Sequence, residues 1–138
     1  MPEPIQHPAA WRGDELFRRD DWCRELTPEQ SDTILANKSS LPSAETDEVA
    51  NLPELSPLLK QIQHDLEHGS GACLLKGLPV DELTEDQARA VFWAIARGVG
   101  TPVSQSATGE RIFSVRDEGY QVGHPKARGP NTKKRLSF

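Results

Sequence analysis

Apolar residues recur at helical spacing in two stretches of the chain. Leu55, Leu58, Leu59, Ile62 and Leu66 follow a three-and-four rhythm that places them on one helix face. Ser56-Pro57 in front supplies a cap and a proline where no amide hydrogen is needed, while Gly69 and Gly71 stand behind as a stop. A helix is predicted over about 57–68. Ala88, Val91, Phe92, Ile95 and Val99 repeat the rhythm after a Thr84…Gln87 capping box, and Gly98 and Gly100 close it, which predicts a helix over about 85–98. Thr27-Pro28-Glu29-Gln30 has the same cap, proline and box, and predicts a shorter helix running to about Asn37.

Elsewhere the pattern changes period. Ala72-Cys73-Leu74-Leu75-Lys76, bounded by Gly71 and Gly77, is too short for a helix and predicts a strand buried on both faces, followed by a turn at Gly77-Leu78-Pro79. Residues 103–106 and 111–116 alternate, and predict a hairpin joined through Ala107-Thr108-Gly109-Glu110. The first 26 residues carry Trp11, Leu16, Phe17, Trp22 and Leu26 in a charged background, the mark of an irregular arm whose large side chains dock on a core formed elsewhere. Residues 38–52 lack any apolar period and read as a surface connection or disordered loop without chemistry. Residues 117–135 form a long loop, and an apolar strand starts at Leu136-Ser137-Phe138.

Composition qualifies this outline. With 138 residues the chain is about one domain long, yet only 36% of it is apolar and the mean hydropathy is −0.60, so the core is expected to be incomplete. Ala90 to Ala96 is the longest strongly apolar stretch, far too short to span a bilayer, and the first residues lack a basic flank and an apolar signal core. A cytoplasmic protein without a membrane partner is the expectation. Cys23 and Cys73 stand fifty positions apart with no second thiol near either, which excludes a Cys-x-x-Cys motif and suits ordinary packing residues. The net charge of −5 conceals a basic end: residues 119–138 hold Lys126, Arg128, Lys133, Lys134 and Arg135 and no acid. Without interleaved aromatic rings, this run reads as a solvated surface and not as a nucleic-acid platform.

Few motifs carry chemistry. His64 and His68 lie four apart, as in the zinc-binding His-Glu-x-x-His signature, but the intervening acid is Asp65, the pair sits in the last turn before Gly69, and no third ligand is evident. A polar helix face at the negative end of the dipole explains them better. Gly69-Ser70-Gly71 precedes a strand instead of opening a helix after one, so it reads as a helix cap and not a phosphate cradle. No Gly-x-Ser-x-Gly elbow occurs, and none of His7, His64, His68 and His124 forms a self-evident triad with a neighbouring Ser or Cys.

The order of segments is more informative. A Trp-anchored leader, a Thr-Pro helix, a Leu-rich helix and Gly69-Ser70-Gly71-Ala72-Cys73-Leu74-Leu75-Lys76-Gly77-Leu78-Pro79 come first. The helix with Trp93, then Gly100-Thr101-Pro102-Val103-Ser104-Gln105, residues 112–117 and Arg128-Gly129-Pro130-Asn131-Thr132 follow, before Leu136-Ser137-Phe138. Over residues 11–138 this resembles the amino-terminal part of the taurine dioxygenase and 2,4-dichlorophenoxyacetate dioxygenase family. The resemblance implies an Fe(II)- and 2-oxoglutarate-dependent oxidoreductase acting on a small organic molecule. It also implies an α+β chain that is the incomplete front of a double-stranded β-helix, a jelly-roll of the clavaminate synthase-like kind with external helices. An arm over 1–26 would precede the dioxygenase-like part over 27–138.

In the family, a strand like Leu136-Ser137-Phe138 runs on into His-x-Asp, the first two ligands of a two-His-one-carboxylate iron site. No His-x-Asp occurs in this sequence, since the residues two after its histidines are Ala9, Leu66, Ser70 and Lys126. The family's 2-oxoglutarate-binding Arg and Thr also fall beyond Phe138. The resemblance therefore places no catalytic, iron-binding or 2-oxoglutarate-binding residue here and leaves substrate-side candidates. Gln105 falls where the taurine enzymes place a substrate-contacting His, and could hydrogen-bond a substrate or sit as a satisfied strand amide. Arg135 falls where they have Asn, and could meet an anionic substrate or simply be solvated; Asn131 and Thr132 fall in a lid. Both departures argue against taurine itself. Two functions are expected to compete: a piece of a dioxygenase inactive alone, and a short non-catalytic protein that binds a partner or completes another subunit's sheet.

Overall fold

A computed structural model describes residues 2–115. They fall in two compact units, one reaching Val103 and the other starting at Ser104. The first unit contains, in chain order, α1 (Gly13–Leu16), β1 (Cys23–Glu25), α2 (Pro28–Asn37), α3 (Ser56–His68), β2 (Leu74–Lys76) and α4 (Glu85–Val99). Short 3-10 turns over Pro53–Leu55 and Val80–Glu82 precede α3 and α4.

The three longer helices start where the caps require. Thr27 Oγ1 accepts from the Gln30 N–H at 3.2 Å while the Gln30 side chain accepts from the Thr27 N–H at 3.0 Å. Thr84 and Gln87 repeat this at 3.2 and 3.0 Å. Each box satisfies two backbone donors that have no partner inside the helix. At the other end of α3 the Asp65 carbonyl accepts from the N–H groups of Gly69 and Gly71, both at 3.1 Å. A Cβ on Gly69 would lie 2.8 Å from that carbonyl, and Gly71 has φ +75°, so the stop signal has a steric basis at both glycines.

β1 and β2 form a two-stranded parallel sheet with Cys23 opposite Leu74, Arg24 opposite Leu75 and Glu25 opposite Lys76. The Leu74 N–H donates to the Trp22 carbonyl at 2.7 Å and the Leu26 N–H to the Lys76 carbonyl at 3.0 Å. β1 lies inside the segment expected to be an irregular arm. Its charged residues Arg24 and Glu25 hide it from any apolar alternation, and β2 supplies the pairing. β2 itself is not buried on both faces: Leu74 is 48% exposed and only Leu75 turns towards the core.

The core gathers Leu26, Ile34, Leu55 and Val91, with Leu52, Leu59, Leu75 and Ile95 packed around them, and α3 lies against α4. On α4 the buried face is Ala90, Val91 and Trp93, whereas Phe92 is left 57% exposed. The expected face thus turns by one position. The cause lies in residues 38–52, where Thr46 offers its carbonyl to the Trp93 indole N–H at 3.2 Å. That connection, expected to be mere surface, also packs Leu41 and Leu52 on the core. The arm docks through Trp11, whose indole N–H donates to the Ser70 carbonyl at 2.7 Å, and through buried Leu26; Phe17 remains 82% exposed.

In the second unit no strand forms among residues 104–115, contrary to the expected hairpin. One backbone bond, from the Gln105 N–H to the Glu110 carbonyl at 2.6 Å, closes a tight loop instead. Gly109 at φ +89° and the Ser106 hydroxyl, which accepts from the amides of Thr108 and Glu110, fix its shape. Side-chain bonds here replace the ladder that two strands would need.

Candidate functional site

Gln105 sits on that loop, exposed and outside any strand, so the strand-amide alternative does not describe it. Around it the Ser106 and Thr108 hydroxyls lie 3.0 Å apart, and Thr108 donates to the Glu110 carboxylate at 3.2 Å. The result is a hydrogen-bonded cluster of small polar groups beside exposed Gln105. Asn131, Thr132 and Arg135 lie outside the described residues, as do the expected loop over 117–135 and strand over 136–138.

A cleft of about 570 Å³ lies between Lys38–Ala44 and the first turn of α4, lined by Lys38, Ser39, Ser43, Asp86, Gln87 and Arg89 among others. Lys38 is tied down by its bond to the Glu82 carbonyl at 2.9 Å. Neither a nucleophile with a base nor a set of metal ligands lines this cleft, and its chemistry is limited to hydrogen bonding and charge. An apolar pocket of about 120 Å³ lies further along α4, between residues 49–59 and Ala94–Gly98. At its edge Arg97 stacks 5.9 Å from the Trp93 ring centre.

The strongest polar feature of the first unit joins β1 to α3. Asp65, only 3% exposed, accepts from Arg24 Nε on Oδ2 at 2.8 Å and from Gln61 Nε2 on Oδ1 at 3.0 Å, and Arg24 Nη2 completes the ion pair 2.8 Å from Oδ2. A buried carboxylate so placed has its charge and lone pairs satisfied. Cys73 lies near it, and burial, followed by the Asp65 charge, pushes its thiol above the usual range. Such a thiol is a poor nucleophile. A second pair, Arg19 with Asp21, stands beside Ser70, whose hydroxyl donates to the Asp21 carbonyl at 3.2 Å. The hydrogen bond from Arg19 holds the Asp21 carboxyl below its ordinary value.

His64 and His68 are 65% and 67% exposed, with ring centres 5.3 Å apart. No group of three or more His, Cys, Asp or Glu side chains that could hold a metal ion exists among the described residues. The described residues therefore do not fit a facial-triad iron. Nor does any helix among them have the length and apolarity to cross a membrane.

No family model matches the chain. Among curated proteins it is similar to a protein of Streptomyces rubellomurinus (strain ATCC 31215) described as FR-33289 synthase, at 27% identity over 145 residues. That alignment takes in the whole of this chain and 43% of the relative, so the chain spans less than half the length of the protein it matches.

Proposed function

We propose that this chain is the amino-terminal portion of an Fe(II)- and 2-oxoglutarate-dependent dioxygenase that oxidises a small organic substrate. The observation that carries the reading is the alignment with FR-33289 synthase along the entire chain, beside a segment order that resembles the taurine dioxygenase family. On this reading the α3–α4 layer and the β1–β2 pair are scaffold. The iron and 2-oxoglutarate ligands belong to the remaining length that such an enzyme needs, and the family's jelly-roll is completed there. Gln105, with Asn131 and Arg135, is the substrate-side contribution.

The coding sequence after the Phe138 codon provides the first test. A reading with His-x-Asp shortly downstream is expected, and its absence from every frame and neighbouring exon overturns the proposal. The encoded longer protein should release succinate from 2-oxoglutarate in the presence of Fe(II), whereas residues 1–138 alone should release none. In the longer protein Gln105→Ala should raise KM for the substrate by about tenfold, the loss of roughly one buried hydrogen bond; an unchanged KM removes Gln105 from the substrate wall.

One observation favours a second reading, a non-catalytic partner that completes another sheet. The β1–β2 pair is flanked by no further strand among the described residues, and an unpaired edge accepts strands. Sedimentation of residues 1–138 distinguishes the two. Self-association or capture of a strand peptide supports the second reading, and a monomer that unfolds cooperatively opposes it.

A further inference from the structure

We propose that His64 and His68 form a two-ligand chelate for a borderline divalent transition-metal ion, of the zinc or copper class, on the solvent face of α3. An imidazole nitrogen binds such an ion at about 2.0–2.1 Å, which puts the ion about 3.2 Å from the ring centre. Two rings sharing one ion at a tetrahedral angle then have centres about 5.2 Å apart. The centres of His64 and His68 are 5.3 Å apart, with the ring planes inclined at 57°. Both side chains are about two-thirds exposed, so an ion reaches them without opening the fold, and water completes its coordination.

The surroundings suit a cation. Each imidazole has a carboxylate near one nitrogen: Asp65 Oδ1 is 3.9 Å from His64 Nδ1, and Glu67 Oε2 is 3.8 Å from His68 Nε2. Both carboxylates lie beyond hydrogen-bond reach of the rings, which leaves the imidazole nitrogens to an ion, and exposed Glu67 adds negative charge beside His68. Asp65 cannot swing away, because Arg24 and Gln61 hold it. The pair also lies at the carboxyl end of α3, where the helix dipole favours positive charge. Lys60, one turn before His64 and exposed, is the cation on the same face.

This site is unlike the zinc-protease arrangement: it has two protein ligands and Asp65 where that signature has its Glu, and its effect is structural. Only the helical form sets the rings at this separation, so binding tightens the last turn of α3, on which the Gly69-Ser70-Gly71 cap and the Trp11 anchor depend.

The test is isothermal titration of the full chain, without an affinity tag, with Zn(II) and separately with Cu(II), paired with thermal unfolding. One ion per chain is expected, bound more tightly as Cu(II) than as Zn(II), together with a rise in Tm. His64→Gln and His68→Gln should each weaken binding by at least about tenfold, as loss of the intramolecular second ligand demands, and abolish the rise in Tm. His7→Gln and His124→Gln should change neither. Far-UV circular dichroism keeps the comparison fair by showing that both exposed-site variants retain their helices. Wild-type affinity in either the His64 or the His68 variant overturns the proposal, as does binding that His7→Gln or His124→Gln removes.

Discussion

Asp65 shows how little a residue's neighbours in sequence reveal of its surroundings. It lies between exposed His64 and Leu66 on a helix of mostly polar residues, yet it is nearly inaccessible, accepts hydrogen bonds from Arg24 and Gln61 and is ion-paired with Arg24. Asp65→Asn keeps the shape but leaves Arg24 with a neutral partner, and should cost about 2–3 kcal/mol in urea unfolding. A loss below half a kcal/mol would show the pair to be solvent-screened. Asp21 makes a different prediction. Arg19 holds its folded-state titration below the ordinary carboxylate value, so the unfolded chain takes up the proton first as pH falls. Its stabilisation is complete above the unfolded value near 3.8 and disappears as pH drops through the lower folded value. Unfolding free energy followed from pH 5 downward should fall less steeply in Asp21→Asn than in the native chain. The Arg24–Asp65 pair escaped the sequence reading because its members, 41 positions apart, are joined by tertiary packing and by no spacing rule.

At the level of elements, the signals written within four or five residues were the legible ones. The capping boxes at Thr27 and Thr84 and the glycines after His68 act locally, and α2, α3 and α4 begin and end within a residue or so of where those signals put them. Thr84→Ala removes one arm of a box and should cost about 1 kcal/mol. Gly71→Ala, which forces a side chain to φ +75° and brings its Cβ to 3.1 Å from Ala9, should cost about 1–2 kcal/mol and loosen Trp11, readable as a shift in indole fluorescence. Strands fared differently. β1 is a strand because β2 pairs with it, a relation that Cys23-Arg24-Glu25 does not announce. Residues 103–115 alternate convincingly yet form a side-chain-bonded loop, since alternation states a preference and a ladder needs a partner. The rotation of α4 that buries Trp93 instead of Phe92 likewise depends on Thr46, nearly fifty residues away.

For the molecule as a whole, the consequential feature is an apolar core of few residues beside a sheet of only two described strands. Hydrogen exchange offers a direct reading of the sheet's edge. The Leu74 amide is bonded across to Trp22, whereas the neighbouring Leu75 amide points the opposite way along the ladder. In the isolated chain Leu74 should exchange slowly and Leu75 fast; equal protection would mean that something already covers the edge. The candidate site was less legible than the scaffold. Gln105 could be named from a resemblance, but its loop geometry depends on the hydroxyls of Ser106 and Thr108, and the cleft beside Lys38 arises in a connection that sequence had marked as empty.

The parallel pairing of Cys23 with Leu74 also fixes an order of events during synthesis. A chain that leaves the ribosome amino end first presents β1 some fifty residues before its partner exists, a wait of about 3–10 seconds at ordinary elongation rates. Until that stretch emerges, the Leu26 amide lacks its Lys76 acceptor and the Trp11 indole lacks the Ser70 carbonyl. The arm is therefore made well before the strand that fixes it and is among the last parts to settle, and in the interval it is open to chaperones and proteases.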